Sequence, residues 1–330
     1  MRAVTFFDDG MLHEGAIVQH DGAVRLLEEP APNGAPRLQG IVTGRFSDHH
    51  VHLQLVDHTL LAGSRLGRVV DLGADLGWIA GIAPGPRIDS ADPGAARPAA
   101  SIGPVAVEYA GPFLTAVGGY PSDRTWAPPG AVREIPDAAS ADVAVHELAA
   151  AGASVVKVVA HSVAGPVLDD KTFAAIVRAA RAHDLPVVAH AEGAGQAQRA
   201  VRLGATRLAH APFSERLTDD EIAEQAASVS WVSTLAVHAD AARAVAIDNV
   251  RRFRAAGGTV LYGSDMGNGD TPVDLRDSEI AALRDAGVDG IPLLTALALV
   301  SPLAPGAAPL VLPAGDPTLA RPLTLADLED

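Results

Sequence analysis

From about residue 40 onward, short apolar runs alternate with longer stretches in which apolar side chains recur every three or four positions. The runs at 41–46, 68–72, 104–109, 155–159, 187–190, 206–210, 231–235 and 259–262 have the length and β-branched content of strands buried on both faces. The stretches between them include 171–183, where Phe173, Ile176, Val177 and Ala180 fall on one helical face and Pro186 follows the end. Residues 194–203, 218–228, 243–256 and 277–286 also carry the helical period. Eight strands with intervening helices predict an α/β chain, a (β/α)8 TIM-like barrel.

The two ends of the chain are patterned differently. Strand-like segments at 3–7, 16–20 and 23–27 surround the hairpin signal Asp21-Gly22, and a turn-rich break runs from Pro30 to Pro36. Residues 304–330 are proline-rich, with a strand-like segment at 309–312 that is expected to return to the N-terminal strands. The expected division is a barrel over 41–303 and a small β subdomain built from 1–40 and 304–330. Segments 73–103 and 120–130 are expected to be long loops after the second and third strands.

Composition narrows the function. Nearly half of the 330 residues are apolar, enough for a large core, and the net charge is −15. That charge argues against nucleic acid and anionic membrane as partners. The apolar run 291–300 is too short to span a bilayer. The N-terminus has no basic segment leading into a long apolar one, so cytoplasm is the expected location. Assembly into a homo-oligomer is left open. There are no cysteines, so any transition metal must rest on nitrogen and oxygen ligands.

Lys157 stands out against this background. It is one of two lysines, with Lys171, and it sits in Ala153-Ser-Val-Val-Lys-Val-Val-Ala160, which reads as a buried strand. A lysine there is costly unless its charge is neutralised or used. Asp48-His-His50-Val-His52 follows the first barrel strand, and alternation puts His50 and His52 on one side. His190 and His210 end the fifth and sixth strands, and Asp265 ends Val260-Leu-Tyr-Gly-Ser-Asp. Taken singly, a strand-end histidine is more often a satisfied structural residue than a ligand, His-x-His is weak evidence, and Asp265 reads as a cap or turn carboxylate. Together, five strands deliver nitrogen or oxygen donors to one face of a barrel, the face where barrel enzymes carry their chemistry.

This set, in this order, resembles the amidohydrolase superfamily of metal-dependent barrel hydrolases over roughly residues 40–300. The resemblance rests on Asp48-x-His50-x-His52, Lys157, His190, His210 and Gly263-Ser264-Asp265. Gly44-Arg45 stands where the family often has Pro-Gly, and the terminal β segments are short for the family's β-sandwich. The resemblance implies two divalent ions, usually zinc. His50, His52 and Asp265 would hold one, His190 and His210 the other, with Lys157 bridging them as a carbamate formed with carbon dioxide. It also implies a bridging hydroxide that attacks a polarised carbonyl, with Asp265 passing the proton to the leaving amine.

Glu192, two residues past His190, is expected to touch substrate or orient a ligand. His161 and His238, just past the fourth and seventh strands, are candidate substrate contacts, as are Tyr120, Arg124 and Trp126. The leading reading is hydrolysis of a small amide-type C–N bond: a cyclic amide, an N-acyl amino acid or a dipeptide-like compound. The same machinery also serves lactones, esters and phosphotriesters. A catalytically silent metal-binding protein is a third reading, against which Asp265 argues.

Overall fold

The computed structural model describes residues 1–83, 100–102 and 105–329. Its architecture is α/β with three sheets. One has seven strands, all paired in parallel: Val132–Glu134, Phe113–Thr115, Val156–His161, Val187–Glu192, Arg207–Leu208, Ser230–Val232 and Thr259–Leu261, in that spatial order. A second sheet pairs Phe46–Val51, Leu66–Asp71 and Val105–Tyr109 in parallel, with Ala100–Ile102 antiparallel at its edge. The two parallel sheets meet where His49 N donates to Tyr262 O (3.0 Å) and His52 N to Met266 O (2.8 Å). These bonds set the first parallel strand beside the end of the last.

The chain ends meet in the third sheet. Its six strands run Arg321–Pro322, Leu310–Leu312, Arg37–Thr43, Arg2–Asp8, Met11–His20, Ala23–Leu27. Val4, Phe6, Ile17, Val42 and Val311 form its own apolar cluster. The expected pairing of the C-terminal strand with the N-terminal ones is therefore present, as Leu310–Leu312 against Ile41–Thr43.

One strand differs from the sequence reading. Residues 41–43 complete a strand of the terminal sheet, and the first parallel strand is Phe46–Val51 rather than 41–46. The boundary expected at 40–41 thus falls inside the strand Arg37–Thr43. The chain crosses between sheets at Gly44-Arg45, where a Cβ on Gly44 would lie 1.8 Å from the carbonyl oxygen of Val300. The close approach lets the terminal sheet keep residues that apolar pattern alone assigns to the next strand. In consequence Asp48 and His50 lie on the first parallel strand, and only His52 follows it.

The helices agree well with the periodic segments: Asp170–Ala182, Gln196–Arg202, Asp219–Ser228, Asp240–Ala255 and Asp277–Asp285. Asp169 caps the first of them through Thr172 N, and Thr218 with Glu221 forms a capping box on the third. Three helices escape the sequence reading: Leu76–Ile82, Ala138–Ala151 and Ile291–Leu297. The first lies within the expected loop 73–103, of which 84–99 and 103 fall outside the described residues. Ala138–Ala151 is rich in alanine, which blurs the contrast between its faces. The core between helices and parallel strands is continuous and includes Trp231 stacked on Phe253 at 3.8 Å. No helix among the described residues is long and apolar enough to cross a membrane.

Candidate metal centre and active site

A cavity of about 500 Å³ opens at the C-terminal ends of the parallel strands. It brings together all six residues predicted as metal ligands: His50, His52, Lys157, His190, His210 and Asp265. His50 Nε2 and His52 Nε2 lie 3.2 Å apart, and Asp265 Oδ1 lies 3.2 and 3.3 Å from them. The other ring nitrogens are anchored. His50 Nδ1 is 2.8 Å from Ala209 O, His52 Nδ1 3.3 Å from Gly73 O, and His210 Nδ1 2.8 Å from Thr234 Oγ1. A carbonyl can only accept, so Nδ1 of His50 and His52 carries the hydrogen and Nε2 presents a lone pair. Two lone pairs and a carboxylate oxygen then converge within hydrogen-bond distance. These three donors could hold one divalent metal with N/O ligands.

Burial explains the charge states. His50 and His210 are held well below the ordinary imidazole range by burial first, so they are neutral and able to ligate. Lys157, 1% exposed, is pushed down to about 7 by burial, against the pull of Asp265 and Asp71. A substantial fraction of its amine is therefore free at neutral pH, the form that reacts with carbon dioxide. Lys171 is exposed at a helix start, as expected. Burial pushes Asp265 up, but the surrounding imidazoles outweigh it and hold its carboxyl well below the usual range. Its backbone is left-handed (φ 53°), as is that of Thr234 (φ 42°), a β-branched residue that rarely adopts it. Backbone strain of this kind costs of order 1–3 kcal/mol and concentrates at functional sites.

The remaining candidates divide. Glu192, Tyr120, His238 and Trp126 line the cavity. Glu192 Oε2 is 3.2 Å from both His190 Nε2 and His161 Nε2. Burial raises its carboxyl, but the bond to His190 and the neighbouring imidazoles bring it below the ordinary value. His161 is not among the residues lining the cavity; it packs against Tyr120, and its Nε2 lies 3.2 Å from Glu192 Oε2. Arg124 is not among them either and lies over the Tyr120 ring, 5.4 Å from its centroid. Each therefore adjoins the cavity through a residue that lines it, Tyr120 or Glu192. Burial pushes Tyr120 up to about 12 and His238 down to about 4, so both are neutral near pH 7.

Asp71, Glu279 and Asn268 were missed, whereas Asp48 already stood in the ligand motif as a support for its histidines. Asp71 accepts from Leu53 N (2.7 Å) and Gly73 N (3.0 Å), which sets the carbonyl that receives His52. Asp48 binds His50 N, Ser264 N and Ser264 Oγ, tying the first strand to the loop that bears Asp265. Glu279 accepts from Leu235 N and Ala236 N, holding the turn before His238. Asn268 donates to Asp265 Oδ2 (2.8 Å), leaving Oδ1 for the imidazoles. Asp71 ends an apolar strand just as Asp265 does, which is the signal that would have found it.

Gly263 admits the first strand to this site. A Cβ there would lie 2.2 Å from Val232 Cγ1 and 3.1 Å from His50 Cβ. Gly263→Ala is expected to cost about 1–3 kcal/mol of stability through overpacking, measured by denaturant unfolding, and to weaken ion binding at His50.

No protein-family model matches the chain, and no curated protein matches it by sequence. Solved structures do match. A Xaa-Pro dipeptidase with methionine bound in its active site is 16% identical, with 96% of this chain and 93% of that one covered at a TM-score of 0.64. An amidohydrolase is 17% identical, with 94% and 91% covered and a TM-score of 0.63. The ochratoxinase of A. niger is 14% identical, with 97% and 91% covered and a TM-score of 0.64. Over nearly its whole length the chain has the fold of these three enzymes.

Proposed function

We propose that the protein is a metal-dependent hydrolase that cleaves an amide-type C–N bond of a small molecule, on a (β/α)8 barrel that begins past the crossing at Gly44-Arg45 and is flanked by a β-sandwich subdomain built from both chain ends. The observation that carries this is the convergence of His50 Nε2, His52 Nε2 and Asp265 Oδ1 within 3.3 Å, in one cavity with the buried Lys157. His50, His52 and Asp265 would hold one divalent ion, His190 and His210 a second, and Lys157, carboxylated by carbon dioxide, would bridge them. Zinc suits this donor set. When bound, such ions acidify water and polarise a carbonyl oxygen.

The chain's own groups supply the rest. Asp265 takes a proton at its carboxylate and delivers it to the leaving amine, which departs poorly without one. Tyr120, kept neutral, offers a phenol O–H toward the substrate. Phe113, Tyr120 and Trp126 make one aromatic wall, and Phe213 stacked on His238 at 4.0 Å makes the opposite one. These walls exclude water and favour a substrate with an apolar or aromatic group beside the scissile bond.

Protein purified without chelator and supplied with zinc and bicarbonate is expected to contain about two ions per chain and to hydrolyse members of a panel of N-acyl amino acids, dipeptides and cyclic amides. A reproducible single ion, with His190 and His210 dispensable for binding, would sink the two-ion reading. Turnover of lactones or phosphotriesters with no amide would replace the C–N assignment.

A further inference from the structure

We propose that Glu192 is the positioning residue of the second ion site: its Oε2 accepts the Nε2–H of His190 and so leaves Nδ1 of that ring as the ligand atom, while His161 Nε2 steadies the same carboxylate oxygen from the neighbouring strand. This rests on the two-ion reading above.

His190 and Glu192 are two apart on the strand Val187–Glu192, so their side chains share a face. His161 ends the neighbouring strand in register with Glu192, just as Val159 is paired with His190. The pairing brings His161 Nε2 and His190 Nε2 each to 3.2 Å from the same oxygen, Glu192 Oε2. A neutral imidazole has one donor nitrogen and one acceptor, and a carboxylate only accepts. Nε2 of His190 must therefore carry the hydrogen, and its lone pair is on Nδ1. His50, His52 and His210 are set the other way, each with Nδ1 engaged. His190 thus differs from the other three histidines both in which nitrogen is anchored and in being anchored by a carboxylate, which makes the ring a stronger donor to an ion.

A rival arrangement is an ion held by His161, His190 and Glu192 themselves, whose ligand atoms all lie within 4.8 Å of one another. Two features oppose it. It would take His190 away from His210 and Lys157. It would also use His161, whose Nδ1 is buried without a hydrogen-bond partner, whereas ligating histidines are normally anchored through their other nitrogen.

The test is competitive zinc titration of the carboxylated full chain against a chelator, with the fold checked by circular dichroism. Glu192→Leu should weaken the second ion about 10–100-fold and leave the first unchanged. Glu192→Gln, which keeps an acceptor oxygen, should retain most of the affinity. The ¹⁵N spectrum of His190 in metal-free protein should show protonation at Nε2 in the wild type and in Glu192→Gln, and a mixture of tautomers in Glu192→Leu. Two ions bound equally tightly by wild type and Glu192→Leu would overturn this role while leaving the two-ion reading intact. A second ion lost in His161→Ala but kept in His210→Ala would overturn it in favour of the rival site. Only one ion in the wild type would overturn the reading beneath it.

Discussion

Asp265→Asn is expected to lower amide turnover by about 10²–10⁴-fold, the usual contribution of a positioned proton-transfer group, with the fold intact. Asparagine keeps an oxygen toward His50 and His52, where Asp265 Oδ1 now lies 3.2 and 3.3 Å from their Nε2 atoms. It cannot take up a proton near neutral pH. The loss should be much smaller on an activated ester, whose leaving group departs without protonation. Metal content must be measured alongside, because Asp265 is also a proposed ligand. If Asp265→Asn turns over amides at a near-normal rate with its metal complete, the proton-transfer role is wrong even if the substrate class is right.

Lys157→Ala is expected to be the most damaging substitution at the site. It should release the bridged ions and abolish turnover, and short carboxylic acids such as acetate should restore part of both by filling the vacated bridge. The buried position favours a free amine over an ammonium, with burial taking the group down to about 7. A carbamate is an anionic two-oxygen ligand and so resolves the cost of an otherwise uncompensated buried lysine. Mass spectrometry under native conditions with bicarbonate should find the added carboxyl on Lys157 and none on Lys171. An unmodified ammonium at Lys157 in fully metallated protein would contradict the proposal.

The candidate ligand cluster was legible because its members close or interrupt apolar runs, and burial on both faces of a parallel strand makes such runs conspicuous. His190, His210 and Asp265 stood out only jointly with His50, His52 and Lys157, as one set in one order. Tertiary contacts decided what was not legible. The first parallel strand was not separated from the terminal strand before it, because Ile41, Val42 and Phe46 read as one run across Gly44-Arg45, where the chain passes close to Val300 and changes sheet. Glu279 reads from sequence as an ordinary acidic residue in a helix's first turn. Its bonds to Leu235 N and Ala236 N belong to another part of the chain. For Arg124 and His161 a place beside the cavity was legible but not their partners, Tyr120 and Glu192, which only the tertiary structure supplies.

The terminal sheet also sets an order of assembly. Strand Arg37–Thr43 has Arg2–Asp8 on one edge, available as soon as both have been made, and Leu310–Leu312 on the other, which follows nearly the whole remaining chain. During synthesis one edge of Arg37–Thr43 therefore waits unpaired while the parallel strands form. Closing so long a loop is unfavourable entropically by only a slowly growing amount, but contacts of such separation make folding slow. Until the last strand arrives, the waiting edge is open to pairing with a second chain.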